Sequence, residues 1–167
     1  MDKNIVLIGM SGCGKTTIGK MLAKELNMDF ADTDEIIEKE QKRLISDIFN
    51  TDGEAFFRCL ETKCAQKVSL LKNTVISTGG GIILNEDNMN YLRKNAVIFY
   101  LKRSVDSIKT TVDTSNRPLL SKDTEKLYEM EKIRGPLYEK YADLTVSNLA
   151  EPEKAVKTIT EYRKSII

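Results

Sequence analysis

Gly9-Met10-Ser11-Gly12-Cys13-Gly14-Lys15-Thr16 is the stretch on which the reading of this chain turns. A glycine, four residues and then Gly-Lys-Thr is the spacing of a phosphate-binding P-loop. Its flanks agree. Asn4 to Ile8 is short, apolar and β-branched, the composition of a buried strand. Downstream, Ile18, Met21, Leu22 and Leu26 recur at helical spacing. Strand, loop and helix is the order in which the motif works. The glycines let backbone N–H groups turn inward around an anion. The helix N-terminus adds unsatisfied donors and the positive end of its dipole. Gly12, Cys13, Gly14, Lys15, Thr16 and Thr17 are therefore candidates for holding nucleotide phosphates. Lys15 brings a full charge, and the Thr16 hydroxyl can hold Mg²⁺. The alternative is a plain glycine-rich turn between a strand and a helix.

The bulk composition bounds the rest. At 167 residues, with 41% hydrophobic and 31% charged, the chain suits one soluble domain with a real core. A net charge of +1 gives no reason to expect a nucleic acid or an acidic membrane as partner. No run is long enough to cross a bilayer. The first strand starts at Asn4, which leaves no room for a signal or transit peptide, so a cytoplasmic location is expected. Cys59 and Cys64 lack partner ligands, and neither a metal nor a disulfide is expected of them. Cys13 sits in the loop where a small side chain suffices. Histidine is absent, so acid–base chemistry falls to carboxylates, lysine or water.

Strand and helix signals alternate along the chain, the mark of a parallel α/β sheet. Further strands are expected at residues 28–31, 74–77, 96–101 and 144–146. Helices are expected from about Asp34 to Glu40, Glu54 to Leu71, after Asn85, from Ser104 to Lys109, from Thr124 to Tyr138 and from Glu153 to Ile166. Thr110 to Asp123 has weak periodicity and reads as a mobile loop. Right-handed crossovers then put helices on both faces, and ligands gather beyond the C-terminal strand ends.

Several groups fall just there. Asp32 and Asp34 follow the second strand with one residue between them, so in extended backbone both carboxylates share a side. One can help hold Mg²⁺ and the other accept a hydroxyl proton; the alternative is a helix N-cap. Glu54, Arg58 and Glu61 share a helix face, either as a surface ion-pair ladder or as a guanidinium fork aimed at a substrate carboxylate. Gly79-Gly80-Gly81 follows a strand and lets a small ligand approach the backbone, unless it is only a flexible turn. Arg117, before Pro118, can close over phosphates from a loop or stand in water. Arg134, in Arg134-Gly135-Pro136-Leu137-Tyr138, is a second arginine near a proline; the alternative there is a kinked helix with its arginine in solvent.

In order and spacing these pieces resemble the shikimate kinase family over almost the whole chain. The carriers are the loop GMSGCGKTT, Asp32-Thr33-Asp34, Gly53-Glu54-Ala55-Phe56-Phe57-Arg58, Ser77-Thr78-Gly79-Gly80-Gly81, Asn116-Arg117-Pro118-Leu119-Leu120 and the Arg134 segment. The resemblance implies a three-layer α/β P-loop kinase fold like that of nucleoside monophosphate kinases, with a five-stranded parallel sheet and a mobile lid. It implies a single domain over 1–167, with a substrate-binding region at about 32–61 and the lid at about 110–123. It implies phosphorylation of shikimate by ATP with Mg²⁺, by a monomer. Lys15 and the loop amides would hold the ATP phosphates, and Thr16 and Asp32 the Mg²⁺. Asp34 would bind shikimate hydroxyls and act as, or orient, the base. Arg58 and Arg134 would bind the carboxylate, and Gly79, Gly80 and Gly81 would contact the ring. Arg117 would sit near the transferring phosphate. One departure stands out: many relatives carry an adenine-stacking arginine where this chain has Thr110, beside Lys109. A gluconate or nucleoside monophosphate kinase, and a non-catalytic nucleotide-binding protein, are the competing readings.

Overall fold

The computed structural model describes residues 3–111, 124–148 and 151–166. Five parallel strands form one sheet in the order β2-β3-β1-β4-β5: β1 Asn4–Ile8, β2 Asp29–Asp32, β3 Thr74–Ser77, β4 Ala96–Lys102 and β5 Leu144–Ser147. The helices are α1 Lys15–Leu26, α2 Thr33–Gln41, α3 Ile45–Val68, α4 Glu86–Arg93, α5 Val105–Thr111, α6 Thr124–Tyr141 and α7 Pro152–Ile166. A 3-10 turn covers Ile82–Leu84. Every strand residue of β1 and β3 is buried, as a parallel sheet covered on both faces requires. The alternation of β4 shows both layers at once. Phe99 meets Tyr162 of α7 edge-on at 5.6 Å, while Tyr100 stacks on Tyr138 of α6 at 5.0 Å.

The order puts β1 in the middle with the P-loop at its tip. Switching direction at β1 opens a crevice above the strand ends, the usual ligand position in such sheets. The expected elements are present, with corrections at their edges. α3 starts at Ile45 rather than near Glu54, and Gly53 breaks it at φ 83°, ψ 172°. That backbone is nearly glycine-only, so the first half of α3 had no continuous period to read. Leu71 lies beyond the helix, 37% exposed, whereas Phe57, Cys64 and Val68 are buried as expected. Thr110 and Thr111 belong to α5 and not to a loop. The other residues expected in the lid, Arg117 among them, lie outside the described residues. Asn85 and Ser104 cap their helices through Oδ1 and Oγ, as their positions suggest. No described helix is long and apolar enough to cross a membrane.

Candidate active site

The P-loop is built by backbone that side chains disfavour. Gly9, Gly12 and Gly14 have φ of 146°, 83° and 99°. At Gly9 a Cβ would also stand 2.6 Å from the Leu101 carbonyl of the neighbouring strand. The loop can therefore turn only with glycine there, and it delivers Lys15 and Thr16 to the first turn of α1. Lys15 is buried, and its Nζ donates to the Gly9 and Met10 carbonyls at 2.7 and 2.8 Å. Thr17, two residues on, faces solvent. Cys13 is fully buried, with its carbonyl accepting a 2.8 Å bond from Asn148 Nδ2. That carboxamide packs so closely that a Cβ on Gly14 would meet it at 2.7 Å.

Beside the loop, Thr16 Oγ1 donates to Asp32 Oδ2 at 2.8 Å. Asp32 Oδ1 accepts from the N–H groups of Asp34 and Glu35, so Asp32 is also the N-cap of α2. The N-cap alternative therefore holds for Oδ1, while Oδ2 is turned to the Thr16 hydroxyl. A hydroxyl and a carboxylate are the hard oxygen donors that Mg²⁺ prefers. Among the described residues no cluster of three acidic, Cys or His side chains could cage a metal. The residues fit an ion that brings phosphate and water as its other ligands.

On the same side of the loop as Asp32, the three glycines after β3 form a floor whose missing Cβ atoms make room for the protein's own side chains. A Cβ on Gly79 would lie 2.7 Å from Asp34 Oδ1 and 3.1 Å from Glu61 Oε1. On Gly80 it would lie 2.9 Å from Ser11 Oγ and 3.6 Å from Arg134 Nη1, and on Gly81 2.2 Å from Arg58 Nη1. Asp34, Arg58 and Arg134 are therefore brought together over one strip, with the P-loop serine at its edge. None of these three glycines has positive φ, so space and not backbone freedom requires them.

The electrostatics divide the strip. Arg58 donates from Nη1 to Glu61 Oε2 at 2.6 Å and from Nη2 to Glu54 Oε1 at 3.0 Å. Glu61 is 1% exposed; burial pushes its carboxyl up, while Arg58 and then Arg134 pull it back. So the Glu54-Arg58-Glu61 ladder is not a solvated face, since its inner end is sealed. Asp34 Oδ1 and Glu61 Oε1 are buried with no hydrogen-bond partner among the described residues. Burial first, then the charges of Asp32 and Glu61, push the Asp34 carboxyl up to about 7 against the pull of Lys15. One end of the strip offers acceptor oxygens, the other two guanidinium groups.

Three residues that brace the floor or the P-loop were not legible as such in the sequence. The Thr33 hydroxyl accepts from the Gly79 N–H at 3.0 Å. Tyr138 donates from its phenol to the Gly80 carbonyl at 2.6 Å, and burial pushes that phenol up. Asn148 braces the P-loop. Thr78, where a general P-loop enzyme often has a metal-binding acid, spends its hydroxyl on the Leu7 carbonyl.

A P-loop on the central strand, a hydroxyl–carboxylate pair beside it and a polar glycine floor define a small-molecule P-loop kinase of the nucleoside monophosphate kinase-like fold. The particular family follows from comparison with known proteins. The shikimate kinase family model matches residues 11–164, and the chain belongs to that family. It is 44% identical to the shikimate kinase of Thermodesulfovibrio yellowstonii, over 97% of this chain and 96% of the relative. It is 46% identical to that of Caldicellulosiruptor saccharolyticus, over 94% and 93% of the two chains. The solved shikimate kinase of Acinetobacter baumannii in complex with shikimate superposes with a TM-score of 0.93 at 34% identity, over 99% of this chain and 94% of that one.

Proposed function

We propose that this protein transfers the γ-phosphoryl group of ATP to the 3-hydroxyl of shikimate, giving ADP and 3-phosphoshikimate on the route to aromatic amino acids. The observation that carries this reading is the floor. Arg134 and Arg58 stand over Gly80 and Gly81, and Asp34 stands over Gly79. A ring with a carboxylate at one end and vicinal hydroxyls at the other matches that division of charge. Arg58 and Arg134 grip the carboxylate, and the Asp34 oxygen accepts from the hydroxyls. The clamp fixes one hydroxyl in line with the γ-phosphate, so catalysis is mainly positioning plus charge. The 3-hydroxyl oxygen forms a bond to the γ-phosphorus as the bond from that phosphorus to the β–γ bridging oxygen breaks, leaving on ADP. Asp34 takes or orients the hydroxyl proton.

Lys15 and the amides of Gly12, Cys13, Gly14, Thr16 and Thr17 hold the phosphates, with Ser11 at the seam between the two ligands. Thr16 and Asp32 would hold Mg²⁺, whose charge offsets that of the β- and γ-phosphates. Arg117 is the further cation in this reading, and the chain acts as one domain and as a monomer in the cytoplasm. The test is ADP release with shikimate, gluconate and nucleoside monophosphates offered separately to the purified protein. Turnover with shikimate alone is expected. Turnover with a nucleoside monophosphate or gluconate, and none with shikimate, overturns the assignment.

A further inference from the structure

In an in-line transfer the attacking and leaving oxygens stand on opposite sides of the phosphorus. Asp34 and Arg58 follow β2 and the glycine floor follows β3, the two strands on one side of β1, and Arg134 reaches that floor from α6. The rest of the nucleotide therefore trails to the other side, over the tips of β4 and β5. Arg103 comes directly after β4 and Asn148 directly after β5. The two tips are joined by the Asn148 N–H, which donates to the Lys102 carbonyl at 3.0 Å. Asn148 in turn holds the Cys13 carbonyl of the P-loop.

The alternation of β4 sets the face of Arg103. Tyr100 stacks on Tyr138 of α6, and Lys102 pairs with Glu139 of α6. Phe99 meets Tyr162 of α7 on the opposite face, which α7 shares with α1. Continuing the period of two puts Arg103 on this α1/α7 side, beside the helix whose N-terminus faces the phosphates. Arg103 is half-buried, and its Nε is buried with no hydrogen-bond partner among the described residues. Among the described residues it forms no ion pair. Its basic neighbours differ: Lys102 pairs with Glu139, and Lys109 lies 3.7 Å from Asp106 and 4.6 Å from the centre of the Tyr128 ring. A guanidinium that loses water without gaining a counter-charge is costly, and an anion or a π-face offsets that cost.

We propose that Arg103 is a nucleotide contact, binding the α-phosphate or the base of ATP on the side of the P-loop away from the acceptor. The proposal rests on the ATP reading of the P-loop and not on the identity of the acceptor. The experiment is calorimetric titration with ADP, without acceptor, of the intact protein and of R103M and R103Q, with melting curves of each. Both variants are expected to melt with the parent and to raise the Kd for ADP roughly five- to tenfold. Inorganic tripolyphosphate is the base-free probe. An equal loss with it assigns the contact to a phosphate, and an unchanged Kd assigns it to the base. ADP affinity unchanged in both variants, or lost only in a variant that also melts earlier, overturns the proposal. With no acceptor in the cell, an error in the shikimate assignment leaves the ADP result untouched.

Discussion

Arg58 and Glu61 form a pair whose two members do different things. Removing the guanidinium in Arg58→Ala should raise KM for shikimate by roughly 10–100-fold, the size of a lost charge-assisted fork, and leave KM for ATP nearly unchanged. It should also lower stability, because Glu61 is left as a buried charge without its partner. The double variant Arg58→Ala/Glu61→Gln should recover most of that stability and none of the KM. Steady-state kinetics with urea unfolding separates the two effects; equal rises in both KM values would contradict the carboxylate clamp. Asp34 carries a pH dependence. Its folded-state value of about 7 lies above the ordinary 3.8, so the folded protein holds that proton more tightly. The stability this contributes is complete below the lower value and is lost as pH rises through about 7. Asp34→Asn should therefore be inactive yet gain stability over the parent as pH rises from 5 to 8, measured by urea unfolding in Mg²⁺-free buffer. A gap between the two proteins that stays constant with pH would count against this account of the site.

At the scale of elements, α3 is two helices joined at Gly53, and the second carries Glu54, Arg58 and Glu61. Gly53→Ala meets no atom within 4 Å, so its whole cost is conformational. That cost should be about 1–3 kcal/mol of unfolding free energy, with a loss of shikimate affinity as the second segment re-aims. Denaturation together with acceptor KM checks both. The break also explains what the sequence yielded and what it withheld. The P-loop, the Asp32-Thr33-Asp34 turn and the glycine floor are local patterns, each set by residues adjacent in the chain. The N-terminal half of α3 was missed because a glycine interrupts its period. Thr33, Tyr138 and Asn148 were missed for another reason: their partners Gly79, Gly80 and Cys13 are 46, 58 and 135 residues away. A threonine at a helix start or a tyrosine after a proline looks alike whether it braces a floor or faces solvent. Only folding brings those donors and acceptors together.

For the whole molecule, two glycines on adjacent strand tips separate folding from binding. Gly9→Ala puts a Cβ 2.6 Å from a backbone carbonyl at φ 146°, and neither can move without disturbing β4. Gly81→Ala puts one 2.2 Å from the end of the flexible Arg58 side chain. The first should cost well over 1 kcal/mol of stability and with it soluble yield. The second should fold with a smaller loss of stability, since the displaced guanidinium also holds Glu61, and should raise KM for shikimate. Thermal denaturation and kinetics on both proteins check the contrast, and a Gly81→Ala protein that melts early with unchanged KM would reverse it.

The strand order has a practical corollary for redesign. Because the nucleotide cradle hangs on the middle strand while Asp34, Arg58 and the glycine floor follow the two strands to one side, with only Arg134 reaching over from α6, the two proposed compartments are largely separable. Recutting the turns after β2 and β3 should retarget the kinase to a different alcohol without re-engineering its fuel supply. A tethered compound joining adenosine to a cyclic acid through a polyphosphate bridge would straddle the central strand and occupy both compartments at once.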